Sequence, residues 1–221
     1  FDGDDTTDKL TVDGVSYTFP VGGATVMVGD NTDGSALFST ACVYGGPSDT
    51  LDDCGNVNAA ITKGGLMVGA SYDFDNGFTA AVGYAGPEGA VLTEESKDAY
   101  GVNAAYTSDN YGVSLTYGVI ETSSTNDDSF TAINAYYTPE GSLPSFSIGY
   151  EVGDIGGAVA TEDEKESFFV GLQWDEVGPG SAGVALGHSN TLEGAEEAYM
   201  YEAYYAYPVN DGMTITPLVF V

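Results

Sequence analysis

Four acidic residues fall on strand-like segments, on the face that in most of these segments carries glycine, serine and threonine. They are Asp73, Glu151, Asp175 and Glu202. Because successive side chains of a strand point to opposite faces, each carboxylate shares the small, polar face of its segment. The chain has no arginine to neutralise them. We therefore expect this face to carry a negative potential that attracts cations, and the alternative is that these acids lie at the strand ends without influence.

Residues suited to catalysis or cofactor binding do not form a recognisable group. The sole histidine, His188, has no identifiable nucleophile as a partner. The glycine-rich stretches lack the lysine and the following helix of a phosphate-binding loop. The acidic runs DNTDG and DTLDD could bind Ca²⁺, but they lack EF-hand spacing, so solvated loops are the simpler interpretation. We predict no enzyme activity, no cofactor and no metal site.

Cys42 and Cys54 are the only cysteines of the chain. A metal site would need about four ligands, and His188 is far away in sequence. We therefore favour a disulfide that closes a short loop, which implies an oxidising compartment. Two free thiols in a cytosolic protein are the alternative.

The charge balance limits the possible partners. Thirty-four acids against four lysines give a net charge of −30, which excludes nucleic acid as a partner because phosphate binding needs a basic surface. Apolar residues make up 43% of the chain, which argues against disorder and leaves a solvated acidic surface as the neutral explanation. Residues 1–10 show neither the basic start nor the apolar core of a signal peptide.

Segments with the pattern of β-strands recur along the whole chain. Most have about the ten residues of a tilted membrane strand. Twelve strands are predicted, at Leu10–Phe19, Ala24–Asp30, Gly65–Phe74, Gly77–Ala85, Ala99–Thr107, Tyr111–Ile120, Phe130–Thr138, Ser145–Val152, Ser167–Asp175, Ser181–His188, Ala198–Tyr207 and Met213–Val221.

Short and long connections alternate between these strands. The short ones are Pro20–Gly23, Asp75–Gly77, Ser108–Asn110, Pro139–Pro144, Glu176–Ser181 and Pro208–Gly212. The long ones are polar and acidic, at Asn31–Gly64, Gly86–Asp98, Glu121–Ser129, Gly153–Glu166 and Ser189–Glu197. Outer-membrane barrels have short periplasmic turns on one rim and long external loops on the other. We predict that all six short connections lie on one rim.

The two faces of the strands support a membrane location. One face is apolar and free of charge, as at Leu66, Val68 and Tyr72, and aromatic residues such as Phe74 and Tyr207 gather beside the short turns. Outer-membrane barrels show such an apolar band with aromatic girdles at headgroup depth. We therefore predict an all-β protein whose fold is an antiparallel transmembrane β-barrel in contact with outer-membrane lipid.

The positions of the turns also predict that the barrel is larger than twelve strands. The first and last connections are both short, so both chain ends would be external. Outer-membrane barrels normally begin and end in the periplasm. We expect residues 1–221 to be part of one barrel domain with strands missing at both ends.

Three stretches resemble a known family. VSYTFPVGGATVMVGDNTDGSALFSTACVYGG, GLQWDEVGPGSAGVALG and YEAYYAYPVNDGMTITPLV are similar to cyanobacterial outer-membrane porins that carry a surface-layer-homology domain, often labelled iron-uptake or carbohydrate-selective porins. The resemblance implies a homotrimeric porin of about sixteen strands that passes small solutes. It also implies an N-terminal domain, absent from this sequence, that binds peptidoglycan in the cell wall.

The function expected from these observations is passive diffusion of small hydrophilic solutes and ions, with a preference for cations. An inward fold of Asn31–Gly64 would shelter its apolar residues Ala36, Leu37, Phe38 and Val43 and narrow the lumen. That fold would add the carboxylates of Asp30, Asp33, Asp49, Asp52 and Asp53 to the constriction. The alternative function is a soluble or surface-attached structural or adhesive β protein, which would expose its apolar face to water.

Overall fold

The structure, a computed structural model, describes residue 12 and residues 14–61, 65–89, 91–93, 97–158 and 163–221. These residues form thirteen β-strands and no helix. The strands are β1 (Val15–Val21), β2 (Ala24–Asp30), β3 (Leu66–Asp73), β4 (Phe78–Gly86), β5 (Ala99–Thr107), β6 (Tyr111–Ser123), β7 (Asn126–Tyr137), β8 (Ser145–Asp154), β9 (Glu164–Val177), β10 (Gly180–Leu192), β11 (Met200–Asn210), β12 (Met213–Ile215) and β13 (Leu218–Phe220).

Each strand pairs with its neighbour in sequence, and every pairing is antiparallel. The sheet runs in order from β1 to β12, and β13 also pairs with β11. The predicted all-β, antiparallel fold is confirmed. In the part of the chain that the structure describes, β1 pairs only with β2, so the sheet is open at that edge.

The six predicted short connections lie at one end of the sheet. Each of them joins an odd-numbered strand to the next even-numbered one in an uninterrupted antiparallel series, so all six must share an edge. The turn after β3 shows how the sequence makes such a reversal. Asp75 and Gly77 have positive φ values of 57° and 87°, a conformation that glycine and aspartate tolerate.

One predicted long connection, Glu121–Ser129, is wrong. β6 and β7 continue through it, with Ile120 opposite Asp128 and Glu121 opposite Asp127, and only Ser124 and Thr125 separate the strands. The polar composition of this segment suggested a loop. Polar residues are compatible with a strand here because the hairpin continues past the apolar band, where both of its faces can contact water.

Most of the other strands, except β2 and β5, also begin or end a few residues away from the predicted limits. β9 begins at Glu164 and β10 ends at Leu192, so both strands extend into connections that were predicted to be irregular. The last predicted strand is divided into β12 and β13 at Thr216 and Pro217. Pro217 has no N–H to donate to the ladder, which interrupts the strand. Both parts keep the same register against β11, with Tyr207 opposite Ile215 and Glu202 opposite Phe220.

Burial along the strands is inverted relative to a soluble protein. On β8, Phe146, Ile148 and Tyr150 are 38–44% exposed, whereas Ser147 and Glu151, at the alternate positions, are 1% exposed. We call the face with the exposed apolar residues the outer face and the opposite one the inner face. Such an outer face suits lipid contact. No helix in the described residues is long and apolar enough to cross a membrane.

Aromatic side chains form a band on the outer face beside the short turns. The rings of Tyr72 and Phe74 have centroids 4.8 Å apart, and those of Phe78 and Tyr106 are also 4.8 Å apart. Tyr111, on the next strand, lies 5.6 Å from Tyr106. This position agrees with the aromatic girdle that the sequence predicted, because tyrosine rings are favoured where hydrocarbon meets the headgroups.

Candidate functional site

Residues 31–61, which connect β2 to β3, lie against the inner face, and we call them the inner loop. Leu51 and Ile61 are 3% and 0% exposed, and Leu37, Phe38 and Val43 are partly covered. Ala36 remains exposed. The loop thus lies inward, as the hypothesis from its apolar residues required. The remaining predicted loop residues, 62–64, lie outside the described residues.

The inner loop crosses the inner face of the sheet and then returns, and we call these two parts its first limb and its returning limb. Side chains of the sheet, which we call the wall, hold the first limb. The backbone N–H of Ser39 donates to Asn103 Oδ1 on β5 over 2.9 Å. The N–H of Ala41 donates to Ser114 Oγ on β6, also over 2.9 Å. Further along, the N–H of Val43 donates to a serine hydroxyl on β8. These bonds satisfy backbone donors that a buried loop would otherwise leave unpaired.

Glycine lets the loop backbone approach the wall. At Gly118 an added Cβ would lie 2.8 Å from the carbonyl oxygen of Ala59. At Gly83 and Gly149 an added Cβ would overlap the carbonyl oxygens of Gly34 and Cys54. The small residues on the inner face therefore make room for the loop.

Glu202, on β11, fixes the far end of the first limb. Tyr44 donates its hydroxyl hydrogen to Glu202 Oε1 over 2.7 Å, and the N–H and hydroxyl of Ser48 both donate to Oε2. Glu202 is 2% exposed. Burial, together with this acceptor, raises the pKa of Tyr44, so the phenol keeps the proton that it donates.

Glu151, on β8, holds the returning limb in the same way. The N–H groups of Asn58 and Ala59 donate to Glu151 Oε2, each over 2.8 Å, and Asn58 Nδ2 donates to Oε1. Glu151 is 1% exposed. Three charge-assisted hydrogen bonds replace the hydration that the carboxylate loses on burial. Without such partners, a buried carboxylate would be strongly unfavourable.

A disulfide joins Cys42 in the first limb to Cys54 in the second. The carbonyl oxygen of Cys54 accepts a 2.8 Å hydrogen bond from Asn134 Nδ2 on β7. Both cysteines pack in an apolar cluster with Tyr44, Leu51 and the fully buried Phe169 of β9. This cluster explains how a large aromatic residue fits on the inner face of β9.

The four acids predicted on the polar face separate into two pairs. Glu151 and Glu202 are covered by the inner loop and serve as its anchors. Asp73 and Asp175 are exposed on the inner face beside the short turns, where Asp73 Oδ1 accepts the N–H of Asp75. Only the second pair faces open space.

The five acids predicted for the constriction also differ in position. Asp30 is the last residue of β2 and pairs with Leu66, whose side chain is on the outer face, so it is not part of the inner loop. Asp33, Asp49, Asp52 and Asp53 belong to the inner loop, and their side chains are exposed. The last three lie where the loop reverses direction.

Asp53 is the loop acid with the most perturbed environment. Desolvation raises its pKa, and the negative charge of Asp52 raises it further. The side chain retains solvent contact, and the more distant charge of Glu151 adds a weaker effect in the same direction. A raised carboxyl pKa means that the folded protein protonates Asp53 at a higher pH than an ordinary aspartate.

Several residues of this site were missed in the sequence. Tyr44, Ser48 and Asn58 of the loop and Asn103 and Asn134 of the wall carry its hydrogen bonds. The wall asparagines occupy inner-face positions of predicted strands, where an amide is unusual unless it has a partner. That signal could have identified Asn103 and Asn134, but the loop residues had none.

The arrangement is suited to restricting passage along the inner face. The loop narrows the space beside the sheet and presents carboxylates to that space, and side chains of the sheet hold both parts of the loop.

Both the sequence and the fold are similar to those of known proteins. The sequence matches the model of the Gram-negative porin family over residues 2–216. A triple mutant of Rhodopseudomonas blastica porin is 16% identical to the chain, with a TM-score of 0.68, and the alignment covers 100% of this chain and 75% of that one. A further variant of that porin, 15% identical with the same coverage, has a TM-score of 0.64. No curated protein matches the sequence.

The structural similarity establishes the fold, and the family match identifies the family. Porins are channels and not enzymes, which agrees with the absence of a recognisable catalytic group in the sequence. The chain belongs to the Gram-negative porin family and is a β-barrel channel protein of the outer membrane.

Proposed function

We propose that this porin is a passive diffusion channel for small hydrophilic solutes and ions that prefers cations to anions. The observation that carries the proposal is the inner loop, which lies across the inner face with Asp49, Asp52 and Asp53 exposed at its reversal. A permeating ion passes close to these carboxylates if the lumen is bounded by this loop. Fixed negative charge at a constriction favours cations.

The distribution of positive charge supports the same preference. The chain contains four lysines and no arginine. Of the lysines that the structure describes, Lys97 lies in the connection from β4 to β5 and Lys165 lies near the start of β9, both at the end of the sheet that carries the long connections. Asp73 and Asp175 lie at the other end. The inner face beside the loop reversal therefore has no basic stripe in the described residues to attract anions.

The test is the reversal potential of single channels in a planar bilayer across a KCl gradient. We expect a cation-selective potential that decreases as the salt concentration rises, because screening lengths fall below ~8 Å above physiological ionic strength. The triple change Asp49→Asn, Asp52→Asn and Asp53→Asn should reduce selectivity strongly. An anion-selective potential in the unmodified protein would reject the proposal.

A matched control removes three acids from exposed turns outside the inner loop. Glu88, Glu140 and Asp211 are suitable. Their replacement by Gln, Gln and Asn changes the net charge by the same amount as the loop triple variant. Because these residues lie outside the inner loop, selectivity should remain close to that of the parent protein. Equal loss of selectivity in both triple variants would show that total charge, and not the loop, determines ion preference.

We also propose that further strands close the open sheet into a barrel of about sixteen strands that assembles as a homotrimer. The open sheet edge and the 75% coverage of the Rhodopseudomonas porin chain support the larger barrel. The three stretches quoted above support a cyanobacterial-type porin with an N-terminal peptidoglycan-binding domain. Co-sedimentation of the full-length protein with purified peptidoglycan tests that domain, and migration of unheated protein on a denaturing gel tests the trimer.

A further inference from the structure

Three potential metal ligands meet on the outer face, at the end of the sheet with the long connections. They are Glu166 on β9, His188 on β10 and Glu197 in the connection from β10 to β11. One ligand atom from each lies within 4.8 Å of the other two. The sequence prediction of no metal site considered His188 beside the cysteines, but the fold brings it to two glutamates instead.

The burial of His188 is unusual for its position. Neighbouring outer-face residues are exposed, such as Val184 at 42%, whereas His188 is only 4% exposed. The rings of Phe168 and Tyr199 cover it, with centroids 4.8 and 6.0 Å from the imidazole. A buried polar ring among aromatic groups needs partners for both nitrogens, because an unsatisfied nitrogen costs free energy.

Each of the three groups is already oriented by a hydroxyl group. Thr191 Oγ1 lies 3.0 Å from His188 Nδ1, and if Nδ1–H donates to that oxygen, the lone pair of Nε2 is available. Tyr150 donates to Glu166 Oε2 over 3.0 Å, and Tyr199 donates to Glu197 Oε2. Such outer partners are typical of metal ligands, whose orientation they fix.

We propose that Glu166, His188 and Glu197 bind a divalent first-row transition metal such as Zn²⁺. Two carboxylates neutralise the charge of the ion, and an imidazole is a good ligand for Zn²⁺ but not for Mg²⁺ or Ca²⁺, which prefer oxygen. The three protein ligands leave a coordination position for water. A cavity of about 240 Å³, lined by Glu166, Thr191 and Glu197, adjoins the two carboxylates and has room for it.

The geometry needs only a small adjustment. Ligand atoms about 2.1 Å from a tetrahedral ion lie roughly 3.4 Å apart, so no pair of ligand atoms has to approach by more than about 1.4 Å. Glu197 is exposed and lies in an irregular segment, which allows its side chain to supply that movement. The bound ion would attach the connection between β10 and β11 to the two strands of the wall.

The test is calorimetric titration of metal-stripped, detergent-solubilised full-length protein with Zn²⁺. Because the net charge is −30, weak Zn²⁺ binding elsewhere on the protein is expected. The affinities of variants therefore decide whether the tightest site is the one proposed. His188→Ala and Glu166→Gln should each weaken the tightest site by at least about tenfold. Glu196→Gln is the matched control, since it removes the same charge from the residue next to Glu197, and it should change affinity less than twofold.

A second readout keeps the test independent of folding defects. Co²⁺ bound at the site should give visible absorption bands that Zn²⁺ removes, and Glu197→Gln should alter their intensity while circular dichroism stays unchanged. The proposal is overturned by equal effects of Glu196→Gln and Glu166→Gln, by Ca²⁺ competing as well as Zn²⁺, or by the absence of a tight site in the folded parent protein.

Discussion

The hydroxyl group of Tyr44 donates a 2.7 Å hydrogen bond to Oε1 of Glu202, and the two residues are 158 positions apart in the sequence. This bond links the far end of the inner loop to β11, and Ser48 donates to the other carboxylate oxygen. The position of the loop in this porin therefore depends on a carboxylate that is almost completely buried.

Replacement of Glu202 by Gln should loosen the loop. The amide cannot accept as many hydrogen bonds and lacks the charge, so we expect a loss of roughly 1–3 kcal/mol in the free energy of unfolding. Single-channel recordings should show a noisier current as the loop end becomes mobile. Glu140→Gln, at an exposed turn, is the control and should affect neither quantity. Unchanged stability and current noise in Glu202→Gln would contradict the anchoring role.

Two paired glycines of the inner face should respond differently to alanine. Gly83 lies opposite Gly69 in the ladder, but a Cβ at Gly83 would overlap the carbonyl oxygen of Gly34, whereas a Cβ at Gly69 would make ordinary contacts of 3.5 Å or more. Gly83→Ala should therefore displace the loop, lower the thermal unfolding temperature and increase conductance. Gly69→Ala should resemble the parent protein in both measurements. The idea fails if the two variants are equally stable.

The disulfide predicts the behaviour of the thiols. Without reductant, a maleimide reagent should label neither Cys42 nor Cys54 in the denatured protein, and with reductant it should label both. Replacing both residues by serine should lower the free energy of unfolding by about 3 kcal/mol, the effect expected for a closed loop of this length. Complete labelling before reduction would show that the bond does not form in the native protein.

The raised pKa of Asp53 predicts how the effect of its replacement on the free energy of unfolding changes with pH. At neutral pH the ionised carboxylate is disfavoured by partial desolvation and by the charge of Asp52, so Asp53→Asn should increase the free energy of unfolding. As pH falls through the raised pKa toward the ordinary value of 3.8, the carboxyl group becomes neutral in the parent too, and the difference should disappear. Denaturant titrations from pH 7 to pH 3 measure this.

Asp211→Asn is the control for that experiment because Asp211 lies at an exposed turn outside the inner loop. It should not increase stability at neutral pH. A benefit of Asp53→Asn that grows as pH falls would have the opposite sign to the one expected and would reject the explanation.

The fold could be predicted from the sequence because the lipid and the lumen select different side chains. Alternation such as Leu66, Met67, Val68 and Gly69 determines which residues face outward, and β2 and β5 have the predicted limits. The hairpin at Ser124 was missed because polar residues were equated with loops. Composition cannot distinguish a loop from a strand that continues into water.

The candidate site was harder to predict because its contacts are distant in sequence. The sequence placed Glu151 and Glu202 on the inner face, but it contained no sign that Asn58 and Tyr44 would cover them. Likewise, nothing local connects His188 with Glu166. Such pairs arise from the register of the strands, which must be known before any contact across the sheet can be identified.

The hairpin formed by β6 and β7 provides a practical reference point for this porin. Its ladder continues to Ser123 opposite Asn126, so the exposed pair Ser124 and Thr125 is held by a paired ribbon and not by a loose loop. A fluorophore attached at Thr125 would therefore report the tilt and depth of the barrel with little motion of its own. Since this end carries the long connections, which are external in outer-membrane barrels, a tag inserted there would be accessible on intact cells.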